Sequence, residues 1–474
     1  MVMFPSTFFV TSHTDFVGAG TTFVAIQGMK DNGVNHIPLA ISKGATTIVV
    51  QEDVLLSESI HILLKENNCT LQRVANCRKA LAHLSAQALN FPVKKLKIIG
   101  ITGTKGKTST AFFIEYILAS LGYKTALLST VYNKILTQQL PTNLTTQHPD
   151  YLHVFFDQCV KANIDYVVME VAAQAFTLDR VFGIMFDAFL FTNFDREHAE
   201  FYTTLEDYFL AKSSLLTQCK INAPIVINED NFWCKKIINH SLHTTFGQQE
   251  AAHYSFKKIA TTNTSSEFTI TVNKKTIVSL TTQLIGDFNC YNSTGAFALC
   301  HALGNDPHKI ASAIASFHSV PGRLERYQLP NKALCFIDYA HNPSSYQSVL
   351  STLRNLTNHL IVVCGAGGDR DKGKRPLMGA LATEFADCVI ITSDNPRSED
   401  PIVIIQEMIK GISLCDQSKV ISEVDREEAI KKAYSISKAG SIIALLGKGP
   451  DRYQIVKDKK IYFNEAEIIH KLGL

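Results

Sequence analysis

Residues 97–121 read KIIGITGTKGKTSTAFFIEYILASL. A short β-branched run (Ile98, Ile99, Ile101) leads into a turn of glycine, threonine and lysine, and an apolar stretch of helical character follows. Strand, glycine turn and helix in that order set backbone N–H groups and a helix N-terminus around one point, which is what an anion site requires. Gly103 and Gly106 have no Cβ, so the backbone can approach a polyphosphate closely. Lys107 reaches the terminal phosphates, and the Thr108 hydroxyl is placed to ligate Mg²⁺. Together with Thr104, Lys105 and Ser109 these residues predict an ATP site. The loop is short: Ile101 stands where the ordinary phosphate loop has its first glycine, and only Thr104 and Lys105 separate Gly103 from Gly106.

The 474-residue length predicts about two to four domains, each able to bury a core. Hydrophobic residues at 46% and charged residues at 19% describe an ordinary globular protein and exclude a disordered one. A net charge of +3 gives no support to a nucleic-acid or membrane-surface partner. Polar residues break the apolar runs well before the length a bilayer needs, so no spanning helix is expected. Residues 1–16 are apolar but lack basic residues and a small-residue cleavage site, and read as the start of the fold and not as a signal peptide. The eleven cysteines, odd in number and without zinc spacing, point to reduced thiols in the cytoplasm.

Along the chain, residues 1–92 form a first unit, with strands at 22–26 and 46–50, a helix at 76–90 and a linker at Phe91-Pro92. From 93 to 322 strands and helices alternate, with β-branched runs at 124–128, 166–169, 188–192 and 225–227. This alternation predicts a mostly parallel α/β sheet with helices on both faces and ligands beyond the carboxyl ends of its strands. Residues 254–284 read as an antiparallel β insert, and 320–323 as a closing turn. Residues 323–474 form a second α/β domain with strands at 335–338, 360–364, 388–392 and 441–446.

Chemistry-bearing residues gather at these strand ends. Glu170 ends the run at 166–170 and is a natural Mg²⁺ ligand beside a phosphate loop. His198 follows the strand at 188–192. Lys212 lies in the amphipathic stretch EDYFLAKSSLL (206–216), where composition alone reads it as a solvated charge. Asp338 and His341 follow the strand at 335–338. Residues 365–376, GAGGDRDKGKRP, combine glycines with Arg370 and other cations in a candidate anion-binding loop. Asp394-Asn-Pro-Arg397 joins a rigid turn to an arginine able to pair bidentately with a carboxylate, and Gly447-Lys-Gly449 is a third glycine turn.

In their order these motifs resemble the Mur ligase family over nearly the whole chain. The resemblance rests on TGTKGKT, Thr145-Thr146, MEV at 169–171, TNFDREH ahead of YFLAKSSL, GDFNCYN at 286–292, VPGRLER, DYAHNP, GGDRDKGKRP, DNPRSEDP and GKGPDRYQ. It implies three domains: 1–92 holding the UDP end of a substrate, 93–322 binding ATP, and 323–474 receiving an amino acid. It further implies an ATP- and Mg²⁺-dependent ligase of peptidoglycan precursor synthesis, a cytoplasmic monomer. Such an enzyme activates the terminal D-glutamyl carboxylate of UDP-MurNAc-L-Ala-D-Glu as an acyl phosphate and joins it to an amine. By resemblance Lys107, Lys212 and His198 are catalytic, and Thr108, Glu170, His198 and a carbamylated Lys212 serve the metal. Asn289, Asn292, Arg323 and Asp338 contact ATP, while Ser12, Thr145, Thr146 and Arg180 contact the UDP substrate. Arg370, Asp394, Asn395, Pro396, Arg397, Gly447 and Asp451 bind the amino acid, and the DNPR form implies meso-diaminopimelate.

The chain departs from the family pattern at substrate-facing positions. Ala172 and Gln174 stand where the family has serine and histidine after MEV, and Leu178 replaces a glutamine. Glu197 replaces an aspartate, and Asp451 a glutamate one methylene longer. The other readings keep the chemistry with L-lysine, move it to another acceptor as in folylpolyglutamate synthase or cyanophycin synthetase, or drop it in a non-catalytic ATP-binding relative. Arg397 argues against lysine, the unit before the loop against folylpolyglutamate synthase, and Lys107, Glu170, His198 and Lys212 against loss of catalysis.

Overall fold

In the computed structural model, which describes residues 4–28, 31–195, 202, 204–239 and 242–473, the apolar runs become the parallel strands of three sheets. His198 and Glu197 lie outside the described residues. The chain divides into two compact units: residues 1–256 with 270–278 and 292–313, and residues 257–269 with 279–291 and 314–474.

The first unit begins with a four-stranded sheet in the order Val10–Thr11, Thr22–Val24, Thr47–Gln51, Thr70–Val74, parallel throughout. The helix expected at 76–90 runs Cys77–Ala88, because the Asn76 side chain accepts from the N–H groups of Arg78 and Lys79 and caps it. The linker takes a tight turn, Pro92–Lys95, entered through Phe91 in the left-handed region.

The central sheet places Lys97–Thr102 between Tyr166–Glu170 and Ala188–Phe191, with Thr125–Leu128 beyond the former and Ile225–Asn228 and Thr244–Gly247 beyond the latter. All of these pairs are parallel. The chain builds outward from Lys97–Thr102 first to one side and then to the other, so this strand lies at the switch point where α/β sheets bind ligands. Its neighbours are almost wholly apolar and buried, as a sheet covered on both faces requires. The insert appears as Tyr254–Thr261, Ser266–Val272 and Thr276–Thr282, joined by turns too short for parallel crossovers.

The sheet of the second unit has the order Glu325–Gln328, Leu334–Asp338, Ile442–Leu446, Leu360–Cys364, Cys388–Ile391, Val420–Ser422. Only the first pair is antiparallel. The carboxyl ends of the four central strands therefore share one edge, and the loops carrying DYAHNP, GAGGDRDKGKRP, DNPR and GKGPD all leave from it. Three pieces of this unit were not read from the sequence: the edge strand Glu325–Gln328, the short Val420–Ser422, and the hairpin Tyr453–Val456 with Lys459–Tyr462.

All eleven cysteines are free thiols. Among the described residues no helix is long and apolar enough to cross a membrane.

Candidate active site

The strand Lys97–Thr102 ends at Gly103, whose φ is +146°, and the helix Lys107–Ser120 starts after Gly106 at φ +79° with no side-chain cap. Both glycines are required by geometry. A Cβ on Gly103 would sit 1.9 Å from Thr192 Oγ1, and one on Gly106 would sit 2.3 Å from Asn292 Oδ1. Gly103→Ala is therefore expected to destabilise the protein by about 2–4 kcal/mol from strain and overpacking together. Denaturant titration against the wild type measures this, and an unchanged midpoint would contradict it.

The loop is held from below by the segment that follows Ala188–Phe191. The Thr104 N–H donates to Asn193 O at 2.9 Å, the Lys105 N–H donates to Asn193 Oδ1 at 2.9 Å, and Thr192 Oγ1 donates to Lys105 O at 2.6 Å. The Lys107 ammonium rests on the carbonyls of Gly103 and Thr104 at 2.8 and 2.9 Å. Thr108 Oγ1 donates to Glu170 Oε2 at 3.1 Å, so helix start and strand end meet as the sequence order predicted. Ser109 is buried within the helix.

Glu170 is fully buried. Beyond Thr108 it accepts from the Thr130 N–H at 2.9 Å and from Thr130 Oγ1 at 3.2 Å. Thr130 was not singled out in the sequence, although it directly follows the strand Thr125–Leu128. It also donates to Thr145 Oγ1 at 3.1 Å. Thr146 turns inward: its hydroxyl donates to Glu170 O at 3.0 Å and accepts from the Ala172 N–H at 3.0 Å. Arg180 donates to Thr146 O at 2.9 Å, while its buried Nε has no partner among the described residues. Ser12 comes to this edge from the first sheet, its N–H bonded to Asp150 Oδ2 at 3.0 Å, and Thr11 Oγ1 donates to the same oxygen at 2.8 Å. The His148 imidazole is pushed below its ordinary pKa by burial and by Arg180, with Arg78 and His13 adding to the effect.

Lys212 is only 1% exposed, against the solvated position composition suggests. Thr204 caps its helix, Leu205–Ser213, and the ammonium donates to Gly103 O at 2.7 Å and lies 4.8 Å from the Tyr208 ring centroid. The hard oxygen donors Thr108 and Glu170 fit Mg²⁺. An unmodified ammonium at Lys212 does not, whereas a carbamate there would add an anionic oxygen ligand. Among the described residues no cluster of three or more His, Cys, Asp and Glu forms a metal site by itself.

In the second unit, Asp338 Oδ2 accepts from the Leu324 N–H and Oδ1 from the Ala340 N–H, both at 2.8 Å, which fixes the 320–323 turn to the strand end. Arg323 lies 4.8 Å from the Tyr339 ring centroid. Asn289 is buried, with Nδ2 donating to Ile285 O at 2.9 Å.

The loops that follow the neighbouring strands make a second centre. Asp394 and Asn395 are buried, and a Cβ on Gly447 (φ +109°) would meet Asp394 Oδ2 at 2.7 Å. Burial raises the Asp451 carboxyl above its ordinary range, with Lys448 opposing the shift. Pro396 is buried. Arg397 occupies the left-handed region at φ +51°, held by hydrogen bonds to Ile455 O and from the Lys457 N–H, and its Nη1 donates to Gly368 O at 2.7 Å. Arg370 is exposed on the adjoining loop.

That loop is clamped by Arg375, which is fully buried and pairs bidentately with Glu399 at 2.9 Å per bond, and with Glu407 at 2.6 Å. The Glu399 carboxyl is held down to about 2, chiefly by its hydrogen bonds with Arg375. Its contribution to stability is complete above the ordinary glutamate value of 4.5 and is lost as pH falls through about 2. Arg375→Met is expected to cost about 3–5 kcal/mol at pH 7. Across pH 4.5 to 2 the variant should lose less further stability than the wild type. Denaturant unfolding at pH 7 and pH 3 checks both, and parallel losses in the two proteins would contradict the clamp.

A switch-point phosphate loop, a buried acid and lysine beside it, and a second α/β unit with ligand-facing loops define a nucleotide-dependent ligase. Residues 101–300 match the Mur ligase middle domain and residues 322–449 the Mur ligase glutamate ligase domain, and the chain belongs to the Mur ligase family. It is 38% identical, over 96% of this chain and 92% of the relative, to a UDP-N-acetylmuramoyl-L-alanyl-D-glutamate--2,6-diaminopimelate ligase of Clostridium perfringens. The enzyme of that name from Aquifex aeolicus is 36% identical over 98% of this chain and 93% of the relative. A solved structure of a ligase with this name superposes with a TM-score of 0.67 at 25% identity, covering 98% of this chain and 94% of the other. The MurF ligase of Thermotoga maritima in complex with ADP shares the fold, with a TM-score of 0.64 at 19% identity over 92% and 93% of the two chains.

Proposed function

We propose that this protein is an ATP-dependent amide ligase that joins meso-diaminopimelate to the terminal D-glutamyl carboxylate of UDP-MurNAc-L-Ala-D-Glu. The observation that carries the reading is the DNPR turn at the end of Cys388–Ile391, with Asp394 buried against Gly447 and Arg397 held in a strained conformation. Similarity to diaminopimelate ligases over nearly the whole chain supports it.

In this account residues 1–92 hold the UDP end, 93–322 bind ATP, and 323–474 bind the amino acid. Gly103–Ser109 and the helix start cradle the ATP phosphates, and Lys107 leaves its two backbone carbonyls for the γ-phosphate. The D-glutamyl carboxylate attacks that phosphorus, ADP departs, and an acyl phosphate forms. The diaminopimelate amine then attacks the acyl carbon, phosphate leaves and an amide remains. The protein's part is mainly to position reactants and neutralise charge. Thr108, Glu170, His198 and a carbamylated Lys212 would hold Mg²⁺, which neutralises phosphate charge when bound. Asn289, Asn292, Arg323 and Asp338 contact ATP; Ser12, Thr145, Thr146 and Arg180 hold the UDP substrate. Asp394 and Asp451 face the ammonium of the amino acid, and Arg370 and Arg397 its carboxylates. The enzyme acts as a monomer in the cytoplasm.

Phosphate release from ATP with UDP-MurNAc-L-Ala-D-Glu plus diaminopimelate, lysine or glutamate tests the reading. Release with diaminopimelate is expected. Release with lysine alone would overturn the specificity, and none with any pair would overturn the activity.

A further inference from the structure

Lys448, between the two glycines of the Gly447-Lys-Gly449 turn, is fully buried. Its ammonium donates to Asn395 Oδ1 at 3.0 Å and to the carbonyl of Tyr453, and lies 3.7 Å from Asp394 Oδ1. Asn395 Oδ1 also accepts from the Ile455 N–H at 2.9 Å. One ammonium thus ties together the loop after Cys388–Ile391, the loop after Ile442–Leu446 and the first strand of the terminal hairpin.

A buried lysine is expensive unless it is paired and hydrogen-bonded, and this one sits among carboxyls. Asp394, Asp451 and Glu465 are carboxyls, against the cations Lys448 and Arg426. Arg426 is engaged by Glu465, with Nε at 2.9 Å and Nη2 at 2.8 Å from Oε1, and by Leu446 O at 2.8 Å. Asp394 and Asp451 therefore share Lys448. Arg323 and the phenols of Tyr339, Tyr346 and Tyr453 complete the groups that face these two carboxyls. Asp394 Oδ1 is buried without a hydrogen-bond donor among the described residues. The cluster thus holds a buried acceptor, Asp394 Oδ1, that an incoming ammonium would complement.

We propose that Lys448 is a positioning residue for the amino-acid substrate. By fastening Asn395 to the Tyr453 carbonyl beside Asp394, it sets the Asp394 carboxylate against Gly447 and leaves Oδ1 to the substrate ammonium. The proposal rests on the amide-ligase reading above, and Lys448 itself touches no reacting atom.

Steady-state kinetics of the full-length protein test it with K448M and K448R. K448M should raise the KM for diaminopimelate about 30-fold while the KM for ATP stays within about twofold. It should also move the acid limb of kcat/KM for diaminopimelate to higher pH, since the cation that opposes the burial shift of the Asp451 carboxyl is gone. K448R keeps the charge and should leave the acid limb where the wild type has it, whatever the larger head group does to stability. Equal rises in both KM values, or an acid limb that K448M does not move, would overturn the role. Wild-type turnover with diaminopimelate tests the ligase reading separately, and the KM split is read with whichever amino acid the wild type accepts. A wild type that turns over none overturns both.

Discussion

Lys107→Ala should lower the rate of ATP-dependent phosphate release by about 10³-fold, with the fold intact. The Lys107 ammonium bonds the carbonyls of Gly103 and Thr104, on the loop beside the helix start. These are neutral acceptors that an ATP phosphate outcompetes, because hydrogen bonds between two charged groups are stronger. In the transition state charge spreads over the transferring phosphoryl oxygens, and a preorganised donor there contributes about 10²–10³ in rate. The loss of a full cation beside a multiply charged phosphate belongs at the upper end of that range or above it. Truncation leaves no buried charge unpaired, since the residue is part-exposed at the loop surface. Single-turnover phosphate release under saturating ATP measures the effect. A variant within about tenfold of the wild type would remove Lys107 from the chemistry.

Arg397→Ala should raise the KM for diaminopimelate by about 10- to 150-fold, from the loss of one or two charge-assisted hydrogen bonds. The KM for ATP should stay within about twofold. The basis is the backbone. Arg397 sits at φ +51°, a region that non-glycine residues rarely occupy, and Ile455 O and the Lys457 N–H fasten it there. Such strain persists where the surroundings enforce it, and here it presents a guanidinium at the ligand-facing edge of the sheet. Gly367 and Gly368 make room: a Cβ on Gly367 would lie 2.9 Å from Arg397 Nη1, and one on Gly368 1.9 Å from Pro396 O. Equal rises in both KM values would take Arg397 out of the amino-acid site.

The phosphate loop was legible from residues 97–121 because its signal is local. Strand, glycines and helix follow one another, and the two positive φ angles fall on the two glycines. The loop motifs of the second unit were legible as strand-end features for the same reason, and parallel topology then brought them to one edge. Partnerships across long sequence separations were not legible. Thr130 meets Glu170 40 residues away, and Lys448 meets Asn395 53 residues away. Arg375, read in the sequence only as part of a cationic loop, and Arg426, not singled out there, are both buried against carboxylates that come in from other elements. Lys212 shows the limit from the other side. Only the resemblance selected it, since nothing in EDYFLAKSSLL signals a lysine buried beneath the phosphate loop. Of the strands not read in the sequence, Glu325–Gln328 and Val420–Ser422 lie at sheet edges, where half-burial does not select for apolar alternation, whereas Thr244–Gly247 lies inside its sheet and is too short to declare a period.

The central claim is that ATP is spent on activating a carboxylate. The direct measurement uses UDP-MurNAc-L-Ala-D-Glu carrying ¹⁸O in its terminal D-glutamyl carboxylate, with ATP and diaminopimelate, and mass analysis of the phosphate released. If an acyl phosphate forms, one carboxylate oxygen leaves with the phosphorus, and each turnover yields one singly ¹⁸O-labelled phosphate. Amide product formed with unlabelled phosphate, the departing ¹⁸O being found in AMP or in water, would contradict the account.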